Sequence, residues 1–109
     1  MMKILVIDNY LPRHQSIVKD IDTVFDDKNV HIVEHIDIGT IQEINPDIIL
    51  LHRNNPEKHE IMGSSSLSTY LIIYSGGTSG YFADDIYEQH VRVDLIIEAL
   101  AKIREQVNS

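Results

Sequence analysis

The chain has 109 residues, 43% of them hydrophobic, a formal net charge of −8 and no cysteine. That length suits one domain over residues 1–109 and is too short for two, while the apolar fraction is enough for a packed core. The lack of cysteine excludes disulfides, thiolate metal sites and a cysteine nucleophile, and nine scattered basic residues disfavour a nucleic-acid or anionic-membrane partner, whose binding rests on charge neutralisation.

The opening MMKILVIDNY has neither the long apolar region nor the small-residue cleavage site of a secretory signal. No stretch approaches the roughly 20 apolar residues of a membrane span. A cytoplasmic protein is expected. Residues 3–7 (KILVI) form a continuous apolar run, the pattern of a strand buried on both faces. Ile17, Val18, Ile21, Val24 and Phe25 recur at helical spacing and predict a helix over 12–26. Residues 30–36 (VHIVEHI) predict a second strand and residues 40–44 a short helix that Pro46 stops. Residues 47–51 (DIILL) predict a third strand, followed by the loop signal Asn54-Asn55-Pro56. One helical turn is predicted near 58–62, a fourth strand over 69–74 (TYLIIY) and a short fifth over 85–89. Val93, Ile96, Ile97, Leu100, Ile103 and Val107 carry the last helix, beginning within 92–94.

Strands alternating with helices imply crossover connections and a parallel sheet covered on both faces. Five strands in this length predict an α/β, flavodoxin-like, three-layer sandwich of order 2-1-3-4-5, with the helix between strands four and five shortened or absent. Ligands of such sheets sit beyond the carboxyl ends of the strands. Asp8, Asn9, His52, Ser75, Gly76 and Gln89 are therefore the residues expected there.

In order and spacing these motifs resemble a response-regulator receiver domain over nearly the whole chain. KILVIDN is similar to the receiver's first strand and acidic pair. PDIILLHRNNP (residues 46–56) resembles the segment leading to the phospho-acceptor aspartate, and Pro56, four residues after His52, places His52 at that position. Ser75-Gly76 resembles the hydroxyl and small residue ending the fourth strand. The resemblance puts the family's lysine at about Gln89 and its following proline at His90.

The departures bear on function. The acidic pair is reduced to Asp8-Asn9, and magnesium prefers oxygen ligands. Imidazole at position 52 cannot form an acyl phosphate, and without the lysine a transferred phosphoryl group lacks its counter-charge. The expectation is a pseudo-receiver that is not an enzyme, needs no cofactor and does not undergo aspartyl phosphorylation. By resemblance it binds a protein partner, or a second copy, through strands four and five and the last helix, with Tyr81, Tyr87, Val93 and Ile97 at the contact. The alternative is a small-molecule or metal-binding sensor using Asp8, His52 and the loop 75–80, with His90 as a further ligand. Against it stands a plain structural role for His52, filling a disused pocket and hydrogen-bonded to Asp8. His31 and His35 are expected on one strand face, and His14 and His59 in solvent. Ile7 to Tyr10 and Ser75 to Gly77 are also similar to segments of glutamine amidotransferases, whose chemistry the missing cysteine excludes.

Overall fold

A computed structural model describes residues 1–64, 69–76 and 85–108. Its centre is a five-stranded, all-parallel sheet of order β2-β1-β3-β4-β5. The strands are β1 (Met2–Ile7), β2 (Lys28–Val33), β3 (Ile48–His52), β4 (Tyr70–Ser75) and β5 (Glu88–Arg92). The helices are α1 (His14–Val24), α2 (Ile38–Ile44), α3 (Lys58–Met62) and α4 (Ile96–Asn108). Short 3-10 turns lead into α1 (Leu11–Arg13) and α4 (Val93–Leu95). This is the α/β flavodoxin-like arrangement that the alternation of elements predicts.

Alternation along the strands sorts the apolar residues into two cores. Ile4, Val6, Leu50, Ile72, Tyr74 and Val91 face α1 and α4. Leu5, Ile7, Ile49, Leu51, Leu71 and Ile73 face the α2 and α3 side. β1 and β3 lie inside the sheet and are apolar on both faces, which is why their sequences read as unbroken runs.

Several boundaries differ from the sequence expectation, those of β2, β5 and α2 for identifiable reasons. β2 begins at Lys28, because an edge strand takes its place from pairing with β1 (Met2↔Lys28 to Ile7↔Val33) rather than from apolar content. His35 and Ile36 have left the strand and are held by Glu57, which accepts from the Ile36 N–H at 3.0 Å. β5 begins at Glu88 because Asp85 makes a turn: its Oδ1 accepts from the Tyr87 N–H (2.9 Å) and its carbonyl from the Glu88 N–H (3.2 Å). α2 starts earlier than predicted, on the Asp37 cap, whose Oδ1 accepts from the Thr40 N–H at 2.7 Å. It ends on Asn45, which takes the left-handed conformation (φ 52°) and sends its N–H to the Ile41 carbonyl.

The expected reduction of the helix between strands four and five falls on residues 77–84 and, with Tyr81, lies outside the described residues. Among the described residues no helix is long and apolar enough to cross a membrane.

Candidate functional site

β1 runs straight into Asp8, whose N–H still pairs with the Val33 carbonyl of β2 (3.0 Å). The carboxylate is fully buried (0% exposed). It faces the α1 and α4 side, as Ile4 and Val6 do. A buried carboxylate demands partners, and the local chain supplies them. Pro12 is the second residue of the 3-10 turn, Arg13 closes it, and the Arg13 guanidinium folds back so that Nε donates to Oδ2 and Nη2 to Oδ1, both at 2.8 Å. The Tyr10 N–H donates to Oδ1 at 2.9 Å, and the Tyr74 hydroxyl, from β4, donates to Oδ2 at 2.6 Å. These four bonds fill the acceptor capacity of a carboxylate. The guanidinium also lies over the Tyr10 ring, 4.8 Å from its centre. His14, at the start of α1, places Nε2 2.7 Å from the Asp8 carbonyl oxygen, so it is part of this cluster and half-buried rather than a solvated residue.

The electrostatics follow from these contacts. Burial pushes the Asp8 carboxyl upward. The hydrogen bonds from Arg13, Tyr74 and the Tyr10 N–H, with the Arg13 charge, outweigh it and hold the group below the usual carboxylate range. Burial and the donated bond to Asp8 push the Tyr74 phenol above its ordinary range, so it stays a donor.

His52 ends β3 and is buried beside Tyr74, the rings meeting edge to face with centroids 5.4 Å apart. Its Nδ1 accepts from the Asn54 N–H at 3.3 Å, which assigns the proton of the neutral ring to Nε2. Burial lowers its pKa, the Arg13 charge lowers it further, and Asp8 opposes them. The hydrogen bond expected between His52 and Asp8 is replaced by Tyr74, which bonds the carboxylate and packs against the imidazole.

The other expected residues are not gathered here. Asn9 is exposed, and its N–H goes to Asn55 Oδ1 (3.0 Å). Ser75 pairs in register with Arg92 and faces the α3 side, one residue out of phase with Tyr74. Gln89 pairs with Ile72 on the edge strand β5, three residues short of its carboxyl end, and donates from Nε2 to the Ala99 carbonyl of α4 at 3.2 Å. The carboxyl end of β5 is instead Arg92, which pairs with Asp94 at 3.1 Å. His90 faces the α3 side next to Ile73 and bonds Glu88 through Nε2 (3.2 Å), so Asp8, His52 and His90 are not brought together. No group of three or more His, Asp or Glu side chains among the described residues is arranged to hold a metal ion.

A second polar cluster joins the loops at this edge. Asn55, almost fully buried, accepts from the Asn9 N–H and donates to the Glu34 carbonyl at 2.9 Å. Glu57 meets His35 Nδ1 at 3.1 Å and is lowered in pKa: burial raises it, and the bonds from His35 and Ile36 more than offset that. The carboxyl ends of β1, β2 and β3 are thus tied through two side chains of the Asn55-Pro56-Glu57 loop.

Asn55 is marked in the sequence only as a loop signal, Tyr74 only as one of four tyrosines late in the chain that suit an interface or ordinary packing equally, and Arg13 and Glu57 not at all. An arginine five residues after Asp8 was a possible signal for the first cluster. Tyr74, the last residue of an apolar run, reads as ordinary core until its partner is known. Comparison with protein-family models, with curated proteins and with solved structures finds no match to the chain.

Proposed function

We propose that the chain is a phosphorylation-independent, receiver-like regulatory module that acts by binding a protein partner or a second copy of itself. One observation carries the first half: the Asp8 carboxylate is saturated, and by an arginine of its own chain. A divalent cation at Asp8 would have to displace a bidentate guanidinium and a phenol, and it would find a neutral amide at position 9 and an imidazole at 52 in place of the anionic carboxylates that hold a hard cation. The cluster stabilises the edge of the sheet without offering a vacant ligand position.

The partner surface is assigned by resemblance to β4, β5 and α4. Tyr87, 57% exposed and stacked on Tyr70, and Ile97, 37% exposed on α4, supply the apolar contact. Val93 is half-buried against the core and belongs to the rim. The phosphorylation half is tested by incubation with acetyl phosphate and magnesium followed by intact-mass measurement. An unchanged mass is expected, and a stable phosphoryl adduct on an aspartate would overturn the proposal.

The second reading, a small-molecule sensor, is supported by a cavity of about 310 Å³ beside Ser75 and His90 rather than by the Asp8 cluster.

A further inference from the structure

We propose that the cavity between α3, β4 and β5 is a binding site for a small oxyanion, a phosphate or carboxylate group carried on a small apolar body, held by Arg53, Lys58 and the Ser75 hydroxyl. The cavity measures about 310 Å³, at the small end of the range of small-molecule sites. It opens on the α3 side of the sheet, away from the Asp8 cluster. Its polar lining is Arg53, Lys58, Ser75 and His90, and its apolar wall includes Met62 and Ile73. No acidic side chain is among the described residues that line it.

Charge sets this place apart from the rest of the molecule. Of the nine lysines and arginines, Lys3, Arg13, Lys28, Arg92 and Arg104 are bonded to a carboxylate or a carbonyl. Lys19, Arg53, Lys58 and Lys102 have no such partner among the described residues. Two of these four meet at one cavity, in a chain of net charge −8. Like charges held together without a counter-charge raise the energy of the free protein, and an anion relieves it. Glu88, the carboxylate beside His90 on β5, is turned to the His90 ring at 3.2 Å and is not among the lining residues.

The geometry suits an oxyanion. The Arg53 N–H donates to the Tyr74 carbonyl at 2.9 Å, which fixes the root of its side chain at the carboxyl end of β4, next to Ser75. The Lys58 N–H donates to the Asn55 carbonyl at 3.1 Å, which fixes the start of α3 above it. Arginine binds a phosphate or carboxylate through two parallel N–H bonds, lysine adds a point charge, and a serine hydroxyl a third kind of donor. The apolar wall favours a ligand with a short hydrocarbon body over a bare ion. The cavity has Tyr74 in its wall and shares β4 and β5 with the proposed partner surface, but Arg53, Lys58 and Ser75 take no part in the Asp8 bonds, so the proposal rests on the small-molecule reading of this cavity alone.

The test is a two-dimensional amide NMR titration of the full chain, at constant pH and with ionic strength held by chloride. Inorganic phosphate and, separately, butyrate are the probes. Saturable shifts confined to residues 53–62, 73–76 and 90–92 are expected with at least one probe. Phosphate alone would assign a phosphoryl ligand, butyrate alone a carboxylate, and both the shared oxyanion chemistry. Arg53→Gln with Lys58→Gln should weaken binding by about tenfold or more, whereas Lys19→Gln with Lys102→Gln, an equal loss of charge elsewhere, should leave it unchanged. Arg53→Gln alone, at an exposed position, gives the same readout should the double variant fold poorly. Unsaturable or dispersed shifts, no response to either probe, or equal weakening by the two double variants would overturn the proposal.

Discussion

At the scale of single residues, the Asp8 cluster shows how a buried charge can stabilise a fold. A buried ion pair gains little over an apolar pair, but breaking it strands its partner. Tyr74→Phe removes one hydroxyl from the carboxylate and keeps the packing against His52. It should cost about 1.5–3 kcal/mol, the range for hydrogen bonds to charged groups, read as a lower urea midpoint at unchanged slope. The same substitution relaxes Asp8 toward its ordinary pKa, so acid unfolding should begin at higher pH. His52 gives a second pH test. Its pKa is lowered in the folded state by burial and by Arg13, so the unfolded chain takes up the proton first. Its contribution to stability is full above its ordinary value of 6.5 and is lost as the pH falls through the lower folded value. Thermal denaturation followed between about pH 7 and pH 5 should show a shallower decline in His52→Gln than in the natural chain. Glutamine keeps an acceptor for the Asn54 N–H and has no proton to gain. Equal slopes would mean that His52 is not held neutral by its surroundings.

At the scale of elements, short loops do much of the positioning. Asn55 sits where β1, β2 and β3 end together, and its side chain satisfies the Asn9 N–H and the Glu34 carbonyl. Asn55→Ala leaves both without that partner and should destabilise by about 2–3 kcal/mol. Amide exchange would show faster opening at the carboxyl ends of β1 and β2 before any change in the strand centres. A uniform loss of protection would instead mean that these loops unfold only with the whole domain. The α2 terminus is a smaller instance. Asn45 is left-handed, a conformation that asparagine tolerates and most residues do not. Asn45→Ala should cost about 1 kcal/mol, measurable as a shift in the denaturant midpoint.

At the scale of the whole molecule, the two faces of the sheet hold different chemistry at the same edge. The α1 and α4 side carries a cluster in which Arg13, Tyr74 and the Tyr10 N–H saturate the Asp8 carboxylate and His52 packs against Tyr74. The α3 side carries an open cavity with two cations, Arg53 and Lys58, that have no carboxylate or carbonyl partner for their charged groups among the described residues. This division separates a structural role on one face from the proposed ligand role on the other. For the proposed partner surface the expected outcome is a dimer by size exclusion with light scattering at high micromolar concentration, or a partner complex, that Ile97→Asp weakens. An exposed side chain changes folding stability little, so the thermal midpoint should barely move. A strict monomer would remove the self-association part of the proposal.

The order of elements and the sheet topology were legible in the chain because each rests on local pattern. Unbroken apolar runs mark strands buried on both faces, 3.6-residue spacing marks α1 and α4, and alternation of the two implies a parallel sheet. Asp8 and His52 were found for the same reason, since both follow apolar strands and so must stand at the carboxyl edge. What became of them there was decided by tertiary contacts. Arg13 reaches Asp8 through a turn, and Tyr74 reaches it from 66 residues away. The strand period of two residues then set which side chains met. A start of β5 at Glu88 rather than Asp85 left Gln89 near the start of the strand, bonded to α4, put Arg92 at its carboxyl end and turned His90 toward the α3 side. Register is fixed by pairing with a neighbouring strand, not by composition. For that reason the edge of the sheet could be anticipated from the chain, while the separation of its two faces appears only in the folded molecule.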